Sequence, residues 1–217
     1  MKPTAVISFI LLASLYGCNS KARNYYYNLE DFTTPKVYVF ECVNDANWTQ
    51  YWKMSSDVKS NYLITEAFNS SFEQIEYFKE QFNESGSELV EYTMMEGENF
   101  TLTTPIEKNV FVWSPTEEYS YSVNYSSNGD KILFRKDRSY VGLDSVEVMG
   151  QQLGAIKFKG IYHFESEKYK DVMEFWQYSY YTEEYGFVKY ERHIDNDSII
   201  ILELSDILSL DAWNELK

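Results

Sequence analysis

Tyr119-Ser-Tyr-Ser-Val-Asn-Tyr125, Ser126-Ser-Asn-Gly-Asp130 and Lys131-Ile-Leu-Phe-Arg135 follow one another without a break, and their succession decides the fold. The first stretch alternates small polar with aromatic or apolar residues, the period of a half-buried strand. The middle stretch carries Asn-Gly, a strong turn signal between two such runs. Two short strands joined by a tight turn pair antiparallel.

The same alternation recurs outward in both directions. Lys36-Val-Tyr-Val-Phe-Glu-Cys-Val43 sets Val37, Val39 and Glu41 against Tyr38, Phe40 and Cys42, and Asn61 to Phe68 and Glu88 to Met95 behave similarly. Asn109 to Trp113, Leu153 to Ser166 and Met173 to Thr182 are further strands, and Tyr185 to Arg192 with Ser198 to Leu204 reads as a final hairpin around Asp195-Asn-Asp197. Phe72 to Phe82 places Phe72, Ile75, Phe78 and Phe82 at helical spacing but runs into the turn Asn83-Glu-Ser-Gly86, and it reads as a strand. Ser205 to Lys217 is expected to form a short helix capped by Ser205 or Asp206. Aromatic residues make up 18% of the chain, with 20 Tyr, 14 Phe and 5 Trp, an excess that favours strands. The expectation is a mainly β domain: a curved antiparallel sheet, half-barrel or open barrel, with one or two short helices, one of them at the C-terminus.

The N-terminus is organised differently. Lys2 precedes the apolar run Ala5-Val-Ile-Ser-Phe-Ile-Leu-Leu-Ala-Ser-Leu-Tyr-Gly17, which has the order of a secretory signal and is too short to span a bilayer comfortably. Leu15-Tyr16-Gly17-Cys18 resembles the lipobox of bacterial lipoproteins, with Tyr16 departing from the small or branched residue usual there. That resemblance implies cleavage before Cys18 and acyl chains on its thiol, with two or more chains giving a stable membrane anchor. Asn19 and Ser20 follow in place of the Asp that marks inner-membrane retention, so the resemblance implies the outer membrane, facing the periplasm. The chain therefore divides into a signal peptide over 1–17, a lipidated tether over 18–27 and one β domain over 28–217. From Cys18 to Tyr25 there are about seven peptide steps, at most roughly 25 Å, which keeps the domain close to the bilayer.

A formal net charge of -15 argues against nucleic acid and against anionic headgroups, except at Lys21 and Arg23 beside the anchor. With Cys18 assigned to lipid, Cys42 has no cysteine partner and reads as a small buried hydrophobe in its strand. Gly-rich phosphate loops, Cys-x-x-Cys, His-Glu-x-x-His and Gly-x-Ser-x-Gly are all missing. His163 with Glu165, and His193 with Asp195, each set two potential metal ligands on one strand face, but two isolated pairs fit solvated surface better. Glu117-Glu118 and Glu183-Glu184 read as turn residues rather than glycosidase carboxylates. No catalytic residue, metal or cofactor is assigned.

The remaining candidates are aromatic. Phe175-Trp-Gln-Tyr-Ser-Tyr-Tyr181 puts Trp176, Tyr178 and Tyr180 on one face and Phe175, Gln177, Ser179 and Tyr181 on the other, while Trp48, Tyr51 and Trp52 form a second cluster. Trp48, Trp52, Trp176, Tyr178 and Tyr180 are the candidate ligand-binding residues, because aromatic faces stack on sugars or line apolar cavities. Tyr180-Tyr-Thr-Glu-Glu-Tyr-Gly-Phe-Val-Lys-Tyr-Glu191 is similar to the late strand pair of LolA/LolB-type lipoprotein carriers. That resemblance implies a strongly curved sheet around an apolar cavity plugged by helices. The functional expectation is a membrane-anchored, non-catalytic binding or accessory protein of the cell envelope, holding an apolar or lipid ligand in a concave sheet. A structural or interaction subunit of an envelope assembly is the alternative, with a hydrolase or carbohydrate-binding module behind it.

Overall fold

The computed structural model describes residues 21–43, 45–96, 99–115, 118–194 and 198–217. The signal segment, Cys18, Glu117 and the Asp195–Asp197 turn lie outside them. The strands are β1 (Lys36–Cys42), β2 (Gln50–Asp57), β3 (Tyr62–Phe68), β4 (Gln74–Phe82), β5 (Gly86–Glu96), β6 (Asn99–Leu102), β7 (Thr104–Val112), β8 (Tyr119–Ser127), β9 (Asp130–Val148), β10 (Gln151–Ser166), β11 (Val172–Thr182), β12 (Gly186–His193) and β13 (Ile199–Ser209). Two short helices complete the list, α1 (Lys21–Asn24) and α2 (Leu210–Leu216). The strand expected over Phe72 to Phe82 is β4.

All ladders are antiparallel, and the curved sheet closes. β5 pairs with β4 on one side and with β7 on the other, so 12 strands form a continuous barrel with β6 appended to the far end of β5. Closure removes the unpaired edges an open sheet would present to other chains. It is reached through bulges, with register shifts at Lys79/Glu80, Ser87/Glu88 and Pro105/Glu107 around the seam.

Alternation sorts the side chains into two populations. Tyr38 and Phe40 on β1, Trp52 and Met54 on β2, Phe134 and Arg138 on β9 and Tyr181 on β11 turn inward. Outward positions carry charges that pair, across strands for Lys53 with Glu66 at 2.6 Å and Lys189 with Glu203 at 2.8 Å, and along β9 for Arg135 with Asp137 at 2.7 Å. Barrels that cross membranes show an apolar belt outside and polar groups within. Here the lumen is lined largely by rings, and the ion pairs lie outside.

A barrel wider than about eight strands cannot be filled by its own wall. One end is instead filled by the N-terminal segment. Ala22, Tyr26, Tyr27, Leu29 and Phe32 are buried, with the Tyr26 ring centre 4.3 Å from Phe111 and 5.9 Å from Tyr181. Arg23 clamps the segment, its Nη1 donating to the Tyr27 carbonyl at 3.1 Å and its guanidinium lying 4.7 Å from the Trp113 ring. Residues 22–27, which the sequence places in the tether, are thus part of the domain, because Tyr26 and Tyr27 supply ring volume that the wall alone lacks. The helix plug expected of a carrier-type sheet is replaced by this segment, since α1 has 4 residues and α2 has 7.

Two elements cover the outer wall. In α2, Trp213 is buried against Val37, Phe68 and Tyr51 on the outside of β1–β3. Its cap is Ser209, which accepts from the Ala212 amide at 3.2 Å, rather than Ser205 or Asp206. Those two stay in β13 because Lys36 to Val39 pairs with Ser209 to Asp206. The β9–β10 hairpin bends where Gly142 takes φ 153 and the register shifts at Lys157/Phe158, so its tip lies over the outer faces of β1, β12 and β13. Val146 and Val148 are buried beneath it. Cys42 is a half-buried free thiol packed against the core.

Candidate functional site

The lumen between the N-terminal segment and the opposite rim is a cavity of about 420 Å³, within the range of small-molecule pockets. Tyr26 and Tyr27 form its floor. Trp52, Phe78, Tyr92, Tyr121, Phe134, Tyr162, Phe187 and Tyr190 form most of its wall. Residues near the floor are buried, whereas Gln50, Met94 and Arg192 at the other end are half-buried, so the cavity meets solvent there.

The wall is rigid because its rings support one another. Trp52 stacks on Phe187 with centres 5.1 Å apart and planes 4° from parallel, and Tyr162 stacks on Phe175 at 4.5 Å. Such pairs contribute about 0.5–1.5 kcal/mol each beyond burial. Burial pushes the phenols up, Tyr119 to about 12, so they stay neutral hydroxyls.

Charged groups interrupt this apolar surface. Glu80, 4% exposed, accepts from Tyr26 Oη at 2.7 Å and from Ser87 Oγ at 2.6 Å. Burial raises its pKa, while those two hydrogen bonds and the charges of Arg138 and Lys136 oppose the rise. Glu76 accepts from Tyr92 Oη at 2.5 Å. Arg138 donates from Nη1 to the Val110 carbonyl and from Nη2 to Tyr181 Oη, both at 2.9 Å. Arg192 Nε donates to Gln177 Oε1 at 3.1 Å, and Gln177 in turn donates to Ser179 Oγ at 3.0 Å. Lys136 Nζ sits 4.5 Å from the Tyr162 ring centre and 5.9 Å from that of Tyr121, and burial pulls its pKa well down.

Of the five residues singled out from sequence, Trp52 alone faces the lumen. Trp48 is exposed in the connection between β1 and β2. Trp176, Tyr178 and Tyr180 stand on the outer wall, under the ammonium groups of Lys159 at 5.0 Å, Lys157 at 4.0 Å and Lys157 at 4.8 Å, respectively. The other face of that strand, Gln177 and Tyr181, lines the cavity. Phe134, Lys136, Arg138 and Arg192 also line the cavity and belong to no motif of the sequence. The signal available was the in-phase run Phe134-x-Lys136-x-Arg138-x-Tyr140, which places two cations on the face of two aromatic rings.

The histidines lie away from the lumen. His163 faces outward between Asp137 at 3.2 Å and Glu174 at 3.0 Å, both on neighbouring strands, so its partners are not Glu165. His193 stacks flat on Trp176, centres 3.6 Å apart. Among the described residues no group of three or more His, Cys, Asp or Glu could hold a metal ion. Glu118, Glu183 and Glu184 are exposed.

No family model matches the sequence, and no curated protein does. Solved structures do. A provisionally assigned lipoprotein of Parabacteroides distasonis is 14% identical, with a TM-score of 0.52 over 84% of this chain and 97% of its own. At that identity the likeness shows a shared fold. A provisionally assigned exported protein of Bacteroides fragilis with a YmcC-like fold is 10% identical (TM-score 0.42, 79% of this chain, 94% of its own). The hypothetical lipoprotein YmcC of Escherichia coli is 6% identical (TM-score 0.40, 81% of this chain, 87% of its own). These two are too distant to bear on the site.

Proposed function

We propose that this chain is an outer-membrane lipoprotein, anchored through acyl chains on Cys18 and facing the periplasm, that binds a small apolar ligand without catalysis. The observation that carries this reading is the aromatic lumen of about 420 Å³, floored by Tyr26 and Tyr27 and open at the far rim. A concave, largely aromatic lumen of that size with a few polar groups suits a small molecule. The likeness in fold to an assigned lipoprotein agrees with the lipobox at Leu15 to Cys18. The two carboxylates of the wall are already engaged, Glu80 by Tyr26 and Ser87 and Glu76 by Tyr92, which suits binding better than chemistry.

Native mass spectrometry of the protein as purified from its own envelope tests the proposal. A population heavier by one small molecule, lost on activation in the gas phase, is the expected result. A single species at the mass of the lipidated chain would overturn it.

A second reading has its own observation. Val43 (56% exposed), Val172 (65%), Met173 (57%), Ile194 and Ile199 ring the open end of the barrel, at the start of β11 and β13 and just past the ends of β1 and β12. Exposed apolar residues gathered at one rim fit contact with another envelope protein. Mild cross-linking in whole cells through a residue placed at Met173 is expected to capture a discrete partner, and capture of none would remove this reading.

A further inference from the structure

An apolar ligand makes no use of the cations in the lumen. Lys136, Arg138 and Arg192 line the cavity together with Glu76 and Glu80, three positive groups against two negative ones. Both carboxylates already accept hydrogen bonds from tyrosines. None of the three cations forms an ion pair among the described residues.

Each cation has donor capacity left over. Arg138 is 2% exposed, yet its Nε has no acceptor, although buried polar groups are nearly always bonded. Lys136 Nζ lies over ring faces. The Arg192 guanidinium lies 5.7 Å from the centre of the same Tyr162 ring that carries Lys136. Like charges thus converge around Tyr162. Burial and the two guanidinium groups disfavour the charged form of Lys136, against Glu76 and Glu80 facing it from β4, with Tyr92, Tyr121 and Tyr162 around it from β5, β8 and β10. An anion beside Lys136 would reverse that balance.

Resting on the lumen-binding reading above, we propose that the ligand is a small amphiphile bearing a single carboxylate, its apolar body among the rings and its carboxylate on Lys136, between Arg138 and Arg192. One negative charge matches the one positive charge in excess.

The test compares decanoate with decanol, titrated without detergent into the full mature chain carrying Cys18→Ala, with affinities read by calorimetry. Decanoate is expected to bind at least tenfold tighter than decanol, and Lys136→Met is expected to abolish that preference while leaving decanol binding intact. Arg192→Gln serves as a second variant, expected to weaken decanoate several-fold and spare decanol. Equal affinity for the two ligands, or a preference that survives both substitutions, would overturn the carboxylate assignment while leaving the lumen reading standing. A preference for decyl phosphate over decanoate would overturn the single charge. Failure of both decanoate and decanol to bind would remove the lumen reading itself, and the carboxylate assignment with it.

Discussion

Tyr26 Oη donates to Glu80 Oε2 at 2.7 Å, which fastens the segment that floors the barrel to the middle of its wall across 54 positions of sequence. Tyr26→Phe removes the donor and leaves a buried carboxylate with Ser87 as its remaining hydrogen-bond donor. A loss of about 1–3 kcal/mol is expected from the urea midpoint, because the penalty falls on the group left behind. A midpoint unchanged within error would show that water takes the place of the hydroxyl.

Glu80 also sets a pH dependence. Its pKa is raised in the folded state by burial, so between the ordinary carboxylate value and the raised one the native protein holds more protons than the unfolded chain. Stability from this group is therefore present at the acid side of that window and lost as pH rises through the folded pKa. Measured against Glu80→Gln, the wild type is expected to gain stability as pH falls from 7 into the carboxylate range. Parallel stability curves for the two proteins would contradict the assignment.

Gly186 takes φ 72, and a Cβ there would lie 2.4 Å from Tyr27 Cδ1. Gly186→Ala is expected to destabilise by about 2–4 kcal/mol, combining left-handed backbone with overpacking. Adding Tyr27→Ala makes room for the methyl. The double variant should accordingly be destabilised by less than the sum of the single ones, and strict additivity in a thermal-melt cycle would show that the two residues do not press on each other.

Trp52 is the tryptophan that lines the cavity. Decanol binding in the Cys18→Ala protein is expected to change its emission, and Trp52→Phe should abolish most of that change while preserving affinity by calorimetry. An undiminished signal would place the ligand beside one of the other four tryptophans instead.

Lipidation has its own readout. Cys18→Ala is expected to move the protein from the membrane fraction to the soluble one, since about two acyl chains are needed for stable attachment. Retention in the membrane fraction would mean that the apolar rim or a partner holds it there.

Much of the wall was legible because period-two alternation survives in a sheet with one wet face: β1, β8 and the β12–β13 pair follow the pattern residue by residue. Closure was not, since it depends on bulges such as those at Lys79/Glu80 and Ser87/Glu88 that break the alternation at the seam. Alternation also gives two faces without saying which is inner. Trp176, Tyr178 and Tyr180 look like the richer face, yet Gln177 and Tyr181 point inward, because lysines from β10 and β12 cover the outer rings. The cations of the lumen were hidden for a related reason. Lys136-Asp137-Arg138 reads as a solvated charge run until Asp137 is seen paired with Arg135 on the outside, leaving its neighbours on the inner face.

The floor of the cavity is the last piece of chain before the segment that carries Cys18. Tension applied at the N-terminus is therefore borne first by the Arg23 clamp and the Tyr26 and Tyr27 rings, and only afterwards by the hydrogen-bonded staves of the barrel. Withdrawing that segment would open the lumen from below without breaking a single strand pair.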